Sequence, residues 1–221
     1  MSGVLDILLI RHGETAWNAE RRLQGQLDVP LNAHGERQAA ALTQGLAGEA
    51  LDAVYCSDLQ RTRQTASGLA ATRGLPLQQD ASLRERCYGG FEGLLYAELE
   101  ARFPAEYAAW LAREPDAPFP AGASQGETLR AFAERAVTAV LRLAEAARRD
   151  GLRRIAIVSH GGVLESVYRE VHGLGHLPPR DFPIPNAGIN RLRHDGTRLQ
   201  IVGWAEVGHL ERLAALDEID A

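Results

Sequence analysis

What most constrains the fold of this chain is a repeated alternation. Short apolar runs, too short to be buried helices, are separated by stretches of helical periodicity. Ile7–Ile10, Asp52–Cys56 and Ile155–Ser159 read as three buried strands. Strands alternating with helices argue for an α/β fold with a largely parallel sheet. A later pair, Ile189–Leu192 and Leu199–Val202, reads as a hairpin turning at Asp195-Gly196. Between the strands, Asn32 is placed to cap a helix that runs to about Leu46 and is closed by Gly48. Ser57 with Gln60, and Ser124 with Glu127, match capping boxes for two further helices. The first should end before Gly74. The second carries Leu129, Phe132, Val137, Val140 and Leu141 at roughly helical spacing and should end near Gly151. A last helix is expected from Gly162 to Gly173. Residues Glu85 to Ser124 break the alternation, with two aromatic-rich helical pieces and a proline-rich stretch, Pro115–Pro120. We read residues 86–124 as an insertion covering the active site, within a single domain spanning residues 1–221.

Composition narrows the chemistry. The 24 basic residues are all arginine, so a phosphate-binding P-loop lysine and a Schiff-base lysine are both excluded. Any anion site must use arginine, histidine or backbone N–H groups, and the planar guanidinium pairs well with phosphate oxygens. A net charge of −5 argues against nucleic acid as a partner. Cys56 and Cys87 have no zinc-like spacing and are expected as reduced thiols in a cytoplasmic protein, Cys56 in the core. No run is long enough to span a membrane, and no basic leader precedes Ile7–Ile10, so neither a membrane partner nor a signal peptide is expected. A homodimer is compatible with the sequence.

The three expected strands end in polar residues of one kind. The first ends in Arg11-His12-Gly13-Glu14, the second in Ser57 with Arg61 one turn into the next helix, and the third in His160-Gly161-Gly162. Ligands of open α/β sheets bind beyond the carboxyl ends of the strands. If the three strands are parallel neighbours, two histidines and two arginines converge there, beside helix N-termini that favour anions. Phosphate is the natural occupant.

These residues carry a resemblance. The segment LLIRHGETAWNAERRLQGQLDVPLNAHG, followed in order by SDLQRTRQTA, LRERCYGGFEG and VSHGG, is similar to the histidine phosphatase superfamily, phosphoglycerate mutase-like branch. The late WAEVGHL is similar as well, so the resemblance covers nearly the whole chain. It implies a three-layer sandwich with a mostly parallel central sheet flanked by helices. It implies a metal-independent phosphoric monoester hydrolase of the histidine acid type, with no cofactor, acting on a small phosphorylated metabolite. It makes His12 the nucleophile and gives Arg11, Arg61 and His160 the phosphoryl oxygens. Asn18 would add a side-chain donor, and Gln24, Gly25 and Gly161 further contacts. Glu85 would protonate the leaving oxygen and then activate water. For His12 to attack, one ring nitrogen must be free, and its other nitrogen should donate to a neighbour such as a backbone carbonyl.

Several of these residues have competing roles. Arg61 competes with a surface ion-pair role better suited to Arg63, and Glu92 reads as structural beside Glu85. Glu14 is expected to orient Arg61 or a histidine, His209 to be structural with some support of the site, and Arg21–Arg22 to be solvated surface by default, with substrate contact as the alternative. His172 and His176 are split by Gly173 and Gly175, against a metal-binding helix. The family also contains phosphoglycerate mutases, which carry a longer insertion with paired arginines. Here EYAAWLAREPDAPFPAGAS holds only Arg113, which favours a phosphatase over mutase-type transfer. A metal hydrolase using His12, His160 and Glu85 is opposed by arginines that would repel a cation. A non-catalytic phosphate-binding protein ranks last, because every expected catalytic group is present. Phe91, Tyr96, Tyr107, Trp110 and Phe119 are candidates to shape the substrate pocket.

Overall fold

The computed structural model describes residues 3–211. Six strands form one sheet: β1 (Leu5–Arg11), β2 (Ala53–Cys56), β3 (Leu77–Gln79), β4 (Arg154–Ser159), β5 (Ile189–His194) and β6 (Leu199–Glu206). Their order is β3-β2-β4-β1-β5-β6. The first four run parallel, and β5 and β6 are antiparallel additions beside β1. The helices are α1 (Ala16–Ala19), α2 (Ala33–Gly45), α3 (Gln60–Ala71), α4 (Tyr96–Arg102), α5 (Pro104–Leu111), α6 (Leu129–Arg149) and α7 (Gly161–Val171). Among them, none is long and apolar enough to cross a membrane.

Alternation along the strands divides the core. Leu5, Ile7 and Leu9 join Ile155 and Ile157 under α6 and α7, while Leu8 and Ile10 join Ala156 and Val158 under α2 and α3. Both faces of β1 and β4 are covered, which is why these strands read as continuous apolar runs. The layers are therefore helix, sheet, helix, as the resemblance implied. Helix α6 buries Phe132, Ala136, Ala139, Val140, Leu143 and Ala147 along one stripe. Its many alanines favour the helix and let it approach the sheet closely.

Two expected caps do not form. Helix α3 begins after Leu59 with no side-chain cap, because Ser57 turns inward to His160 and Thr62. Helix α6 is capped by Thr128, whose hydroxyl accepts from Ala131 N. Glu127 instead accepts two bonds from Arg135, both at 2.7 Å, and one from Cys87 N at 2.9 Å. A charge-assisted pair outcompetes a local backbone bond. Asn32 does cap α2, accepting from Gly35 N at 2.7 Å. The hairpin also turns as expected, with Asp195 Oδ1 accepting from Thr197 N and Arg198 N. Strand β3 escaped notice because Leu77-Gln78-Gln79 is a short, mostly polar edge.

Residues 86–124 carry α4 and α5 around a small core that also takes in Leu23. Phe91 and Leu99 are fully buried there, with Tyr88, Phe103, Tyr107, Trp110 and Phe119 packed against them. Glycine permits the join to the rest: a Cβ on Gly89 would meet Pro120 O at 2.6 Å, and Gly89 has φ +55°.

Candidate active site

Parallel pairing of β2, β4 and β1 brings their carboxyl ends to one edge of the sheet. His12 follows β1, its N–H donating to Ser159 O at 2.9 Å, and Ser57 follows β2, donating to Val158 O. His160 sits at the N-terminus of α7. The rings of His12 and His160 meet edge to face at 5.2 Å.

His12 is oriented by its own neighbour. Its Nδ1 lies 2.7 Å from Gly13 O, an acceptor only, so Nδ1 carries the hydrogen and Nε2 keeps its lone pair. Burial, reinforced by Arg61 and Arg11, holds the ring well below the usual imidazole value, against a smaller opposing effect of the Gly13 bond. His12 is thus neutral at ordinary pH. His160 is likewise held low by burial, then by Arg61, His12, Arg11 and Arg135.

Both arginines are buried, Arg61 with only 1% of its surface exposed. Arg11 donates to Ile184 O at 2.7 Å, and Arg61 donates to Gly25 O at 2.7 Å and Leu27 O at 2.9 Å. Neither forms an ion pair with a carboxylate among the described residues. Burial lowers Arg61 to about 10, so it stays charged at neutral pH, and burial lowers Arg11 too. Arg11 Nε, Arg61 Nε and His160 Nδ1 are buried without any hydrogen-bond partner. Two buried cations with spare donors are costly unless an anion binds.

A cavity of about 320 Å³ opens onto these groups, lined by Arg11, His12, Asn18, Gln24, Gly25, Arg61 and Glu85. Seven of the nine expected site residues therefore line one space. His160 lies against His12, and Gly161 lines a neighbouring chamber. Asn18 Oδ1 accepts from Thr15 N, which leaves its Nδ2 to serve a ligand. Gln24 Oε1 accepts from Thr15 Oγ1. Glu85 accepts from Arg86 N at 2.8 Å and Gly162 N at 3.0 Å, and its carboxylate lies on the wall common to both cavities.

The chamber, about 590 Å³, lies between the 86–124 segment, α6 and α7. Tyr88, Tyr96 and Trp110 line it, whereas Phe91 and Tyr107 pack within the segment and Phe119 faces a smaller adjoining cavity. Arg113 is occupied by Glu165 and by His176 O, each at 2.5 Å. Arg86 is held differently: it is 6% exposed, gives Nε to Glu127 O, stacks over Phe119 and has no carboxylate partner among the described residues. Burial lowers its pKa.

Some expectations need correction. Glu14 accepts from Asn32 and serves the start of α2, so it orients neither Arg61 nor a histidine. Arg21 and Arg22 are not simple solvated surface, since both line the cavity mouth and Arg22 donates to Gly93 O. Glu92 is structural as read, accepting from Gln26 N and Tyr88 N. His209 supports the site at one remove. It donates to Ala187 O, whose N–H donates to His12 O. Asn186 was missed; its Nδ2 donates to His12 O at 3.0 Å, and no periodicity marks that loop. Cys56 and Cys87 are buried free thiols, Cys56 pushed up to about 12 by burial. No group of three or more His, Cys, Asp and Glu side chains able to hold a metal occurs among the described residues.

The sequence profile of the histidine phosphatase superfamily, branch 1, matches residues 7–207. Phosphoglycerate mutase-like protein 4 of Arabidopsis thaliana is 37% identical over 96% of this chain and 89% of its own length. The metal-independent phosphoserine phosphatase of the same plant is 34% identical over 97% and 87%. The solved structure of Bacillus stearothermophilus YhfR superposes with a TM-score of 0.84 at 30% identity, covering 94% of this chain and all of that one.

Proposed function

The chain belongs to branch 1 of the histidine phosphatase superfamily, and we propose that it hydrolyses a small phosphorylated metabolite through a phosphohistidine on His12. One observation carries the reading: three buried side-chain nitrogens beside the His12 ring, on Arg11, Arg61 and His160, have no hydrogen-bond partner among the described residues. They match the equatorial oxygens of a transferring phosphoryl group, whose reaction needs positioning and charge stabilisation above all.

In this reading His12 Nε2 attacks phosphorus, an N–P bond forms and the P–O bond to the leaving group breaks. Glu85, on the wall between cradle and chamber, gives its proton to the leaving oxygen. It then takes a proton from the water that attacks phosphorus, the N–P bond breaks and inorganic phosphate leaves. The chemistry is metal-independent, since Arg11 and Arg61 already supply the charge and would repel a cation. It is of acid type, since a depressed His12 stays nucleophilic below neutral pH. Residues 86–124 act as a cover over the leaving group. Two buried thiols suit a cytoplasmic setting.

Phosphatase assays with and without EDTA, over sugar phosphates, phosphoglycerates and nucleotides, test this reading. Activity should survive EDTA, and rapid quench should trap an acid-labile, base-stable phosphoryl adduct. His12→Ala should lower kcat by a factor on the order of 10³ or more and abolish the adduct. Loss of activity in EDTA, or no adduct with a good substrate, overturns the mechanism. Mutase-type transfer is the second reading. It is weakened because Arg113 is held by Glu165, and activity confined to interconverting 2- and 3-phosphoglycerate would favour it.

A further inference from the structure

The two histidines have different kinds of partner behind them, and the difference assigns a role to a residue so far unused. His12 Nδ1 faces Gly13 O, which can only accept. Gly13 is itself held, its N–H donating to Thr65 Oγ1 at 3.0 Å while the Thr65 hydroxyl donates to Arg61 O. Nothing there can change direction. His160 Nε2 instead lies 2.7 Å from Ser57 Oγ, and a hydroxyl can donate or accept. Behind Ser57, Thr62 Oγ1 is 2.8 Å away and reaches two carbonyls, Ser57 O at 2.8 Å and Leu59 O at 2.7 Å. All three side chains are buried.

We propose that Ser57, backed by Thr62, is the positioning residue that lets His160 become a cation when a phosphoryl group binds, while His12 stays neutral. The inference rests on the phosphoryl cradle proposed above. The proton is added at Nδ1, the unpartnered nitrogen, and comes from solvent or from a protonated oxygen of the ligand. Nε2–H then donates to Ser57, Ser57 to Thr62, and Thr62 to a backbone carbonyl. Every hydrogen has an acceptor, and no heavy atom moves. For neutral His160 protonated on Nδ1 the chain runs the other way, with Thr62 donating to Ser57 and Ser57 to Nε2.

The surroundings make this conditional on the ligand. Arg61 from α3, Arg11 and His12 from the end of β1, and Arg135 from α6 all oppose a positive His160, as does burial. The Glu85 carboxylate is committed to Gly162 N at the start of the same helix. A bound dianion offsets that repulsion, and Ser57 supplies the acceptor that a charged Nε2–H requires.

Tungstate, a phosphate mimic that stays a dianion near neutrality, provides the test. Its binding to the full chain is measured by calorimetry from about pH 6 to about 9, where histidines titrate. Wild-type affinity should fall as pH rises from the value of His160 in the free chain to its value in the complex, and level off above that. Ser57→Ala removes the acceptor and penalises the cation, so the fall should move to lower pH by about one unit. On the falling limb that is about tenfold weaker binding, and the two curves rejoin at the alkaline plateau. Thr62→Val keeps shape and should shift the fall the same way by less, and it carries the test if Ser57→Ala does not fold. Imidazole ¹⁵N shifts of the tungstate complex should show one ring protonated at both nitrogens in wild type, at a pH where Ser57→Ala shows it neutral. Equal weakening at every pH, or an unmoved profile in both variants, overturns the role of Ser57 and leaves the cradle standing. No tungstate binding to wild type would remove the cradle, and the switch with it.

Discussion

At the scale of single residues, Gly25 meets two demands at once. Its φ of +54° lies in the left-handed region, and a Cβ there would sit 1.9 Å from Glu92 Oε1. That oxygen accepts from Gln26 N and Tyr88 N, and Gly25 O accepts from Arg61. Gly25→Ala should therefore push Glu92 away and tilt the Arg61 anchor. We expect a stability loss of about 1–3 kcal/mol by urea titration, together with at least a roughly tenfold fall in kcat. Gly74 is the control: its φ is +63° but a Cβ would meet nothing within 4 Å. Gly74→Ala should cost only backbone strain, about 1 kcal/mol, with kcat unaltered. If both variants lose activity alike, the link from Gly25 to Arg61 is wrong.

At the scale of elements, the 86–124 segment walls one side of the chamber and packs around a small core shared with Leu23, whereas α3 carries Arg61 from within the main sheet packing. Phe91 is fully buried between Phe103, Trp110 and Phe119. Phe91→Ala should cost about 3–5 kcal/mol where it acts. The expected signature is hydrogen exchange that quickens through α4 and α5 while β1 and β4 stay protected, with KM rising more than kcat falls. Uniform loss of protection across the sheet would mean that cover and core unfold as one. The caps teach the same lesson about elements. Asn32 caps α2 as its position predicts, because nothing buried competes for it. Ser57 and Glu127 had the right spacing for capping boxes, but His160 and Arg135 claimed them.

At the scale of the whole molecule, burying two neutral histidines ties stability to pH. His12 and His160 are held well below the usual imidazole value by burial and by Arg61 and Arg11. In the unfolded chain both titrate near the ordinary value of about 6.5. Below that pH the unfolded state binds more protons, so stability falls with pH until the folded values are reached. His176, His194 and His209 are lowered too and act with the same sign. The carboxylates Glu49, Asp52 and Asp58, lowered mainly by hydrogen bonds to Arg191, the backbone N–H of Arg154, and Arg84, lose their contribution only at more acid pH. Tm should thus drop between about pH 6.5 and about 5. The His12→Asn/His160→Asn double variant should show a shallower slope over that window. An equal slope in the variant would assign the acid sensitivity elsewhere.

The sequence by itself determined the alternation of strands and helices, the strand ends bearing Arg11, His12 and His160, and the order of Arg61 and Glu85 between them. Those signals are local. Burial on both faces writes continuous apolar runs, and helix periods write spacings of three and four. Tertiary structure decided which partner stands behind each histidine ring. Gly13 O is one residue from His12, but Ser57 and His160 are 103 residues apart. It also decided that Asn186 reaches His12 O across 174 residues. It gave Arg86 at the chamber a backbone carbonyl and an aromatic ring, while Glu165 holds Arg113. Such contacts depend on the packing of distant segments, and no local pattern in the chain encodes them.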